Sequence, residues 1–199
     1  MSSSISSVSD PERRRRGRIK ALGIFVVCLV PFLAAYILYY FWTPASRMNY
    51  GDLLPVQALP GILGTKPDGT ALTAADLRGK WVLVHVDVGA CGDACQRKLY
   101  NLRQVRLAQG KNFERVERIW LLLDDAPPSG ADPRLFDGVF VVRPTDRAAL
   151  AAFPAASDVR DHIYLVDPLG NVMLRYPKDA DPSRMVKDLQ RLLKVSQVG

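Results

Sequence analysis

The chain has 199 residues, 48% hydrophobic and 24% charged, with a formal net charge of +7. That is enough for one globular domain and an appended segment, and short for two domains. Six basic side chains against two acidic ones lie in residues 1–20, so a net +4 of the +7 belongs to the N-terminal end. The rest is spread without a clustered basic face, which argues against nucleic-acid binding.

The Ser-rich residues 1–20 read as a disordered, basic, cytoplasmic tail. From Ala21 to Trp42 no charged residue occurs, and a helix of that length crosses a hydrocarbon core of about 30 Å. Residues 21–42 are therefore predicted to form a transmembrane helix. Pro31 is tolerated in a membrane span, and Tyr36, Tyr39, Tyr40 and Trp42 suit an aromatic belt at its far end. The basic run Arg13–Lys20 before the span faces a single Arg and a single Asp just after it. The positive-inside bias thus keeps the N-terminus in the cytoplasm and exports the remainder. The bulky exit "YILYYFW" offers no small-residue cleavage site, so the helix reads as an uncleaved anchor.

Residues 43–60, with Pro44, Pro55 and Pro60, read as a linker, and 61–199 as the exported domain. "TKPDGTAL" signals a hairpin. "WVLVHVDV" reads as a buried strand, with Val82, Val84, Val86 and Val88 on one face and Trp81, Leu83, His85 and Asp87 on the other. A helix is expected from Cys91 to Gln109, stopped by Gly110. "VERIWLLL" and "GVFVV" are strands separated by the loop "DDAPPSGADP", and "TDRAALAAF" is a short helix opened by Thr145. "HIYLV" and "VMLRY" flank the type I turn of "DPLGN". The last helix takes Asp181 as N-cap and Pro182 as first residue, with Met185, Leu189 and Leu192 as its apolar stripe. Alternation of this kind implies an α/β sandwich, a central sheet with helices on its faces.

Cys91 and Cys95 follow the first buried strand in "GACGDACQ". At a helix N-terminus the free N–H groups and the positive end of the dipole favour a thiolate. One helical turn separates the two sulfurs, so both open toward one patch, beyond the carboxyl end of a strand where α/β sheets place ligands. Three uses remain open: a reversible disulfide, a soft cation such as Cu(I), or a structural bridge, whose very short loop gives it little entropic value. Of the two histidines, His85 reads as a satisfied core residue or, as the lesser option, a support behind metal ligands, and His162, following "DVRD" at the start of a strand, as a surface or capping residue or a third ligand. Cys28, inside the apolar span, reads as a small hydrophobe. No phosphate loop, HExxH or G-x-S-x-G motif is present.

The buried strand, the C-x-x-x-C at the head of a helix, and Asp161-His162 leading into "YLVDPLGNV" together resemble the Sco/SenC group. These are thioredoxin-like, membrane-anchored copper proteins that serve assembly of the copper site of cytochrome c oxidase. The resemblance covers roughly residues 56–195. It implies a thioredoxin-like sandwich with a central mixed sheet flanked by helices, behind one N-terminal transmembrane helix. It also implies copper, as Cu(I), held by Cys91, Cys95 and His162, and a periplasmic domain anchored in the inner membrane. The partner it implies is the copper-receiving oxidase subunit or another assembly factor.

The first function is then a metallochaperone, in which three-coordination leaves the ion open to an incoming ligand. A thiol–disulfide oxidoreductase is the alternative, with an exposed Cys91 thiolate attacking and Cys95 resolving. Members of the Sco/SenC group usually carry proline after each cysteine, where this chain has Gly92 and Gln96. A non-catalytic interaction module is therefore the third reading.

Overall fold

A computed structural model describes residues 11–41 and 49–196. The chain divides into two compact units, Met1–Arg47 and Met48–Gly199.

Among the described residues the first unit holds one helix, α1 (Pro11–Phe41), which over Arg14–Phe41 contains a segment long and apolar enough to cross a membrane. The tail predicted as disordered is corrected in part, because residues 11–20 continue this helix. Arg, Lys and Glu are good helix formers, and extending an existing helix needs no new nucleus. Residues 1–10 and Trp42 lie outside the described residues.

The second unit is built on eight strands: β1 (Asp52–Ala58), β2 (Ile62–Thr65), β3 (Ala71–Thr73), β4 (Trp81–Asp87), β5 (Val116–Leu122), β6 (Phe140–Pro144), β7 (Ile163–Val166) and β8 (Asn171–Arg175). They form one sheet in the order β1-β8-β7-β4-β5-β6-β2-β3. The sheet is mixed: β4, β5 and β6 run parallel, whereas β7 is antiparallel to β4 and to β8. Among the described residues the unit also holds the α-helices α2 (Asp93–Leu107), α3 (Pro133–Phe136), α4 (Arg147–Ala151) and α5 (Pro182–Val195), with short 3-10 turns at Gly110–Arg115 and Val159–Asp161.

Strand β4 lies at the centre, every residue buried. Its alternation divides the core as the sequence predicts. Trp81 and Leu83 join Leu99, Leu102, Val105, Trp120, Met185 and Leu189 under α2 and α5. Val82, Val84 and Val86 join Ile119, Leu121, Tyr164 and Phe153 on the opposite side. Each large apolar side chain so buried contributes about 1.5–3 kcal/mol.

Three expectations are corrected. Residues 52–58, read as linker, form edge strand β1 against β8, and the register shifts between Leu53 and Gln57, around Pro55. Proline is admissible on an edge or at a bulge because it need not donate to the ladder. The compact unit accordingly begins before residue 61. Asp146, not Thr145, caps α4 by accepting from the Ala149 N–H. In α5, Leu193 rather than Leu192 completes the buried stripe, since it lies four and eight residues beyond Leu189 and Met185. The Asp181 cap, Pro182 at the first turn and the Asp167–Gly170 turn are as predicted.

Buried Asp188 on α5 accepts hydrogen bonds from the Tyr50 and Gly51 N–H groups at 2.7 and 3.1 Å, fixing the approach to β1.

Candidate metal and thiol site

The site grows from the junction of β4 and α2. The chain leaves β4 through Val88, Gly89 and Ala90, and α2 begins at Asp93 with Gly92 as N-cap. Cys91 thus stands just ahead of the helix and Cys95 in its first turn, a shorter helix than the predicted 91–109. Their Cα atoms are 5.3 Å apart and their sulfurs are joined in a disulfide. Of the uses left open by the spacing, a closed disulfide is the state this structure displays.

The loop after β5 holds this junction in place. The Cys91 N–H donates to the Ser129 carbonyl and the Ser129 N–H to the Gly89 carbonyl, both at 2.9 Å. The Gly89 N–H donates to an Asp124 carboxylate oxygen at 2.8 Å, and the Gln96 side-chain amide to the Gly130 carbonyl at 3.0 Å. A Cβ on Gly89 would lie 2.3 Å from the Ala126 carbonyl oxygen, so only glycine admits this approach. Both cysteines are 3% exposed as a result. The exposed Cys91 expected for nucleophilic attack is corrected for the disulfide state, because the loop packs over it.

Directly beneath lies His85, on the face of β4 that it shares with Asp87. It is fully buried, and among the described residues neither ring nitrogen has a hydrogen-bond partner. The Asp87 carboxylate is 3.6 Å from its Nε2, too far for a hydrogen bond, and the Trp120 ring lies nearly parallel at 6.1 Å. Burial first, and the Lys98 charge second, push the His85 pKa down to about 3, so the imidazole is neutral. Asp87 faces Lys98, whose Nζ is 3.5 Å from its carboxylate and also donates to the Arg160 carbonyl. The satisfied core histidine expected from the sequence is thus an unsatisfied one.

His162 is half-buried at the start of β7. Its Nδ1 lies 2.9 Å from the Tyr176 carbonyl oxygen, and its ring meets Tyr164 edge-on at 6.1 Å. Among the described residues, one group of His, Cys, Asp or Glu brings its ligand atoms within 4.8 Å of one another, and it is His85, Asp87 and Cys95. His162 is not part of it. Sequence reasoning gives His85 a core place, with support of the ligands as its lesser option, and gives Asp87 no role; the signal available was two polar side chains, two residues apart, on one side of an otherwise apolar strand.

A thiolate pair and a neutral imidazole are donors for soft to borderline metals, whereas the Asp87 carboxylate is a hard oxygen donor beside them. The two sulfurs and the imidazole fit a copper ion once the disulfide is reduced.

Comparison with known proteins supports the same architecture. The family model described as the transmembrane-like, thioredoxin-like C-terminal domain matches residues 81–196, and the transmembrane-like N-terminal domain matches 11–42. The chain belongs to this transmembrane-like, thioredoxin-like family. No curated protein sequence matches it. Among solved structures, apo Sco1 from Thermus thermophilus is 21% identical with a TM-score of 0.56, over 74% of this chain and 99% of that one. Copper-bound yeast Sco1 is 15% identical with a TM-score of 0.53, over 76% and 96%. A thiol:disulfide interchange protein from Bacteroides sp. is 16% identical with a TM-score of 0.52, over 73% and 93%. The Sco/SenC resemblance is borne out in the fold that this family member shares with those proteins.

Proposed function

We propose that this chain is a membrane-anchored copper-binding protein that delivers copper to, or prepares, the copper site of cytochrome c oxidase. Its N-terminus is cytoplasmic, and its thioredoxin-like domain lies on the periplasmic side of the inner membrane. The observation that carries this reading is the Cys91–Cys95 pair, held as a closable dithiol at the head of α2. Its fold likeness to copper-bound yeast Sco1 and the apolar helix α1 support it.

A dithiol reductant supplies two electrons, opens the Cys91–Cys95 bond and is itself oxidised to a disulfide. The two thiols then bind Cu(I) as thiolates and release two protons. The resemblance gives His162 the third position, with Nε2 as donor while Nδ1 faces Tyr176. The copper-receiving subunit or another assembly factor takes the ion by exchanging ligands one at a time.

A second reading, thiol–disulfide exchange on a partner protein, is favoured by the closed disulfide and by the likeness to the Bacteroides interchange protein. A partner thiolate would attack Cys91, displacing Cys95 as the leaving thiolate and forming a mixed disulfide. A second partner thiol would then release the reduced pair.

Cells lacking the chain test the first reading. They are expected to assemble cytochrome c oxidase deficient in copper, with recovery on re-expression of the intact chain and none with Cys91→Ala or Cys95→Ala. Equal recovery with the cysteine variants contradicts it.

A further inference from the structure

The imidazole beneath the disulfide makes no hydrogen bond among the described residues. A buried polar atom left without a partner costs about 1–3 kcal/mol, and His85 has two such nitrogens. On the other face of the same strand Val84 and Val86 fill their positions without polar atoms. An apolar residue at 85 would serve packing as well, so the retained imidazole calls for another explanation.

We propose that His85, not His162, is the nitrogen ligand of the metal held by the reduced cysteine pair, with Asp87 closing the site beside it. The inference rests on the copper reading above and changes the residue that completes it. His85, Asp87 and Cys95 already present their ligand atoms within 4.8 Å of one another, and Cys91 is joined to Cys95. Around a three-coordinate ion with bonds of about 2.0–2.3 Å, neighbouring ligand atoms stand about 3.5–4 Å apart, so small movements of the two thiolates and the imidazole suffice, with the Asp87 carboxylate balancing charge beside them. β4 is a rigid central strand, paired on both edges, which holds His85 and Asp87 in register beneath the cysteines.

The disulfide makes the site redox-gated. With the S–S bond formed, neither sulfur can act as a thiolate; reduction by a dithiol supplies both. Lys98 holds the place of the cation in the closed state, its ammonium 3.5 Å from the Asp87 carboxylate. An arriving ion takes over that charge neutralisation and frees Lys98 toward the adjoining cavity of about 370 Å³, which it lines with Ala94, Asp161 and Lys178. His162 instead keeps its contact with the Tyr176 carbonyl and helps fix the end of β7.

The chain has two histidines, so isotope-labelled histidine yields two sets of imidazole NMR signals, and His162→Ala leaves those of His85. The experiment adds Cu(I), as its acetonitrile complex, to the reduced full chain in detergent micelles. The expected result is a large shift of a His85 ring nitrogen, an affinity within about twofold of the parent in His162→Ala, and a loss of at least about tenfold in His85→Gln. The shift in the intact chain decides the matter even should His85→Gln fold poorly. Cysteine-dependent uptake that moves the His162 signals and leaves those of His85 in place overturns this inference while the copper reading stands. Absence of any cysteine-dependent uptake overturns both.

Discussion

The two faces of the central sheet are filled by different chemistry. One side of β4 packs Val82, Val84 and Val86 against Ile119, Leu121 and Val142, and the Tyr164 hydroxyl there is satisfied by the Pro154 carbonyl. The other, under α2 and α5, combines apolar packing with His85, Asp87 and Asp188, and leaves the indole nitrogens of Trp81 and Trp120 without partners. Folding alone explains the first face, since burial of branched aliphatic side chains is its main driving force. The second gives up stability at the place where the cysteines sit, which is where proteins accept local cost for chemistry.

That contrast can be broken by substitution. Leu121→Ala on the apolar face is expected to cost about 2–5 kcal/mol in urea unfolding. His85→Leu on the other face should leave stability within about 1 kcal/mol, or raise it, because it removes orphaned nitrogens. A loss from His85→Leu equal to that from Leu121→Ala would make His85 a structural residue and erase the distinction.

Asp188 sharpens the comparison within the polar face, because its carboxylate is satisfied by two N–H groups. Asp188→Ala, which strands those donors, should cost about 1–3 kcal/mol, read by the same unfolding curves.

Acid should act through His85. Burial depresses its folded pKa to about 3 from an ordinary value of 6.5, so between those values the unfolded chain binds a proton that the folded chain does not. Its contribution is therefore at its full value above about pH 6.5 and is lost as pH falls toward 3, by up to about 1.4 kcal/mol per pH unit. Comparing unfolding of the parent and His85→Leu between pH 7.5 and pH 5 checks this; the variant should lose the part of the slope due to His85. The smallest effect is expected at the surface. Arg134 pairs with Asp132 at 2.6 Å with its side chain 87% exposed, and Arg134→Ala should leave the unfolding midpoint within experimental error of the parent's.

Much of the fold was legible because periodicity reports burial directly. The run from Trp81 to Asp87 alternates, and its two sets of side chains reach the two cores as that alternation implies. The Asp181-Pro182 start of α5 and the Asp167–Gly170 turn are local signals that no distant contact overrides. Strand β1 was hidden because Pro55 and its neighbours read as linker until β8 offers an edge to pair with. At the site, the cysteine pair was legible from four-residue spacing. His162 stands at the entry to β7, as "DVRD" followed by "HIYLV" implies, whereas the cover over Cys91 depends on how Ser129 and Gly130 return to Gly89, which is not encoded locally. For His85 the alternation predicts burial, which the structure shows, but nothing local to the sequence tells whether its ring nitrogens find partners.

The central claim is that the Cys91–Cys95 pair is a metal site opened by reduction. Its most direct test is competition for Cu(I) with a chromophoric chelator, run on the full chain in detergent with the pair reduced and with it oxidised. The account predicts one equivalent of tightly held Cu(I) in the reduced chain and none in the oxidised chain or in reduced Cys91→Ala. Equal uptake by the oxidised and reduced chains, or none by either, would contradict it.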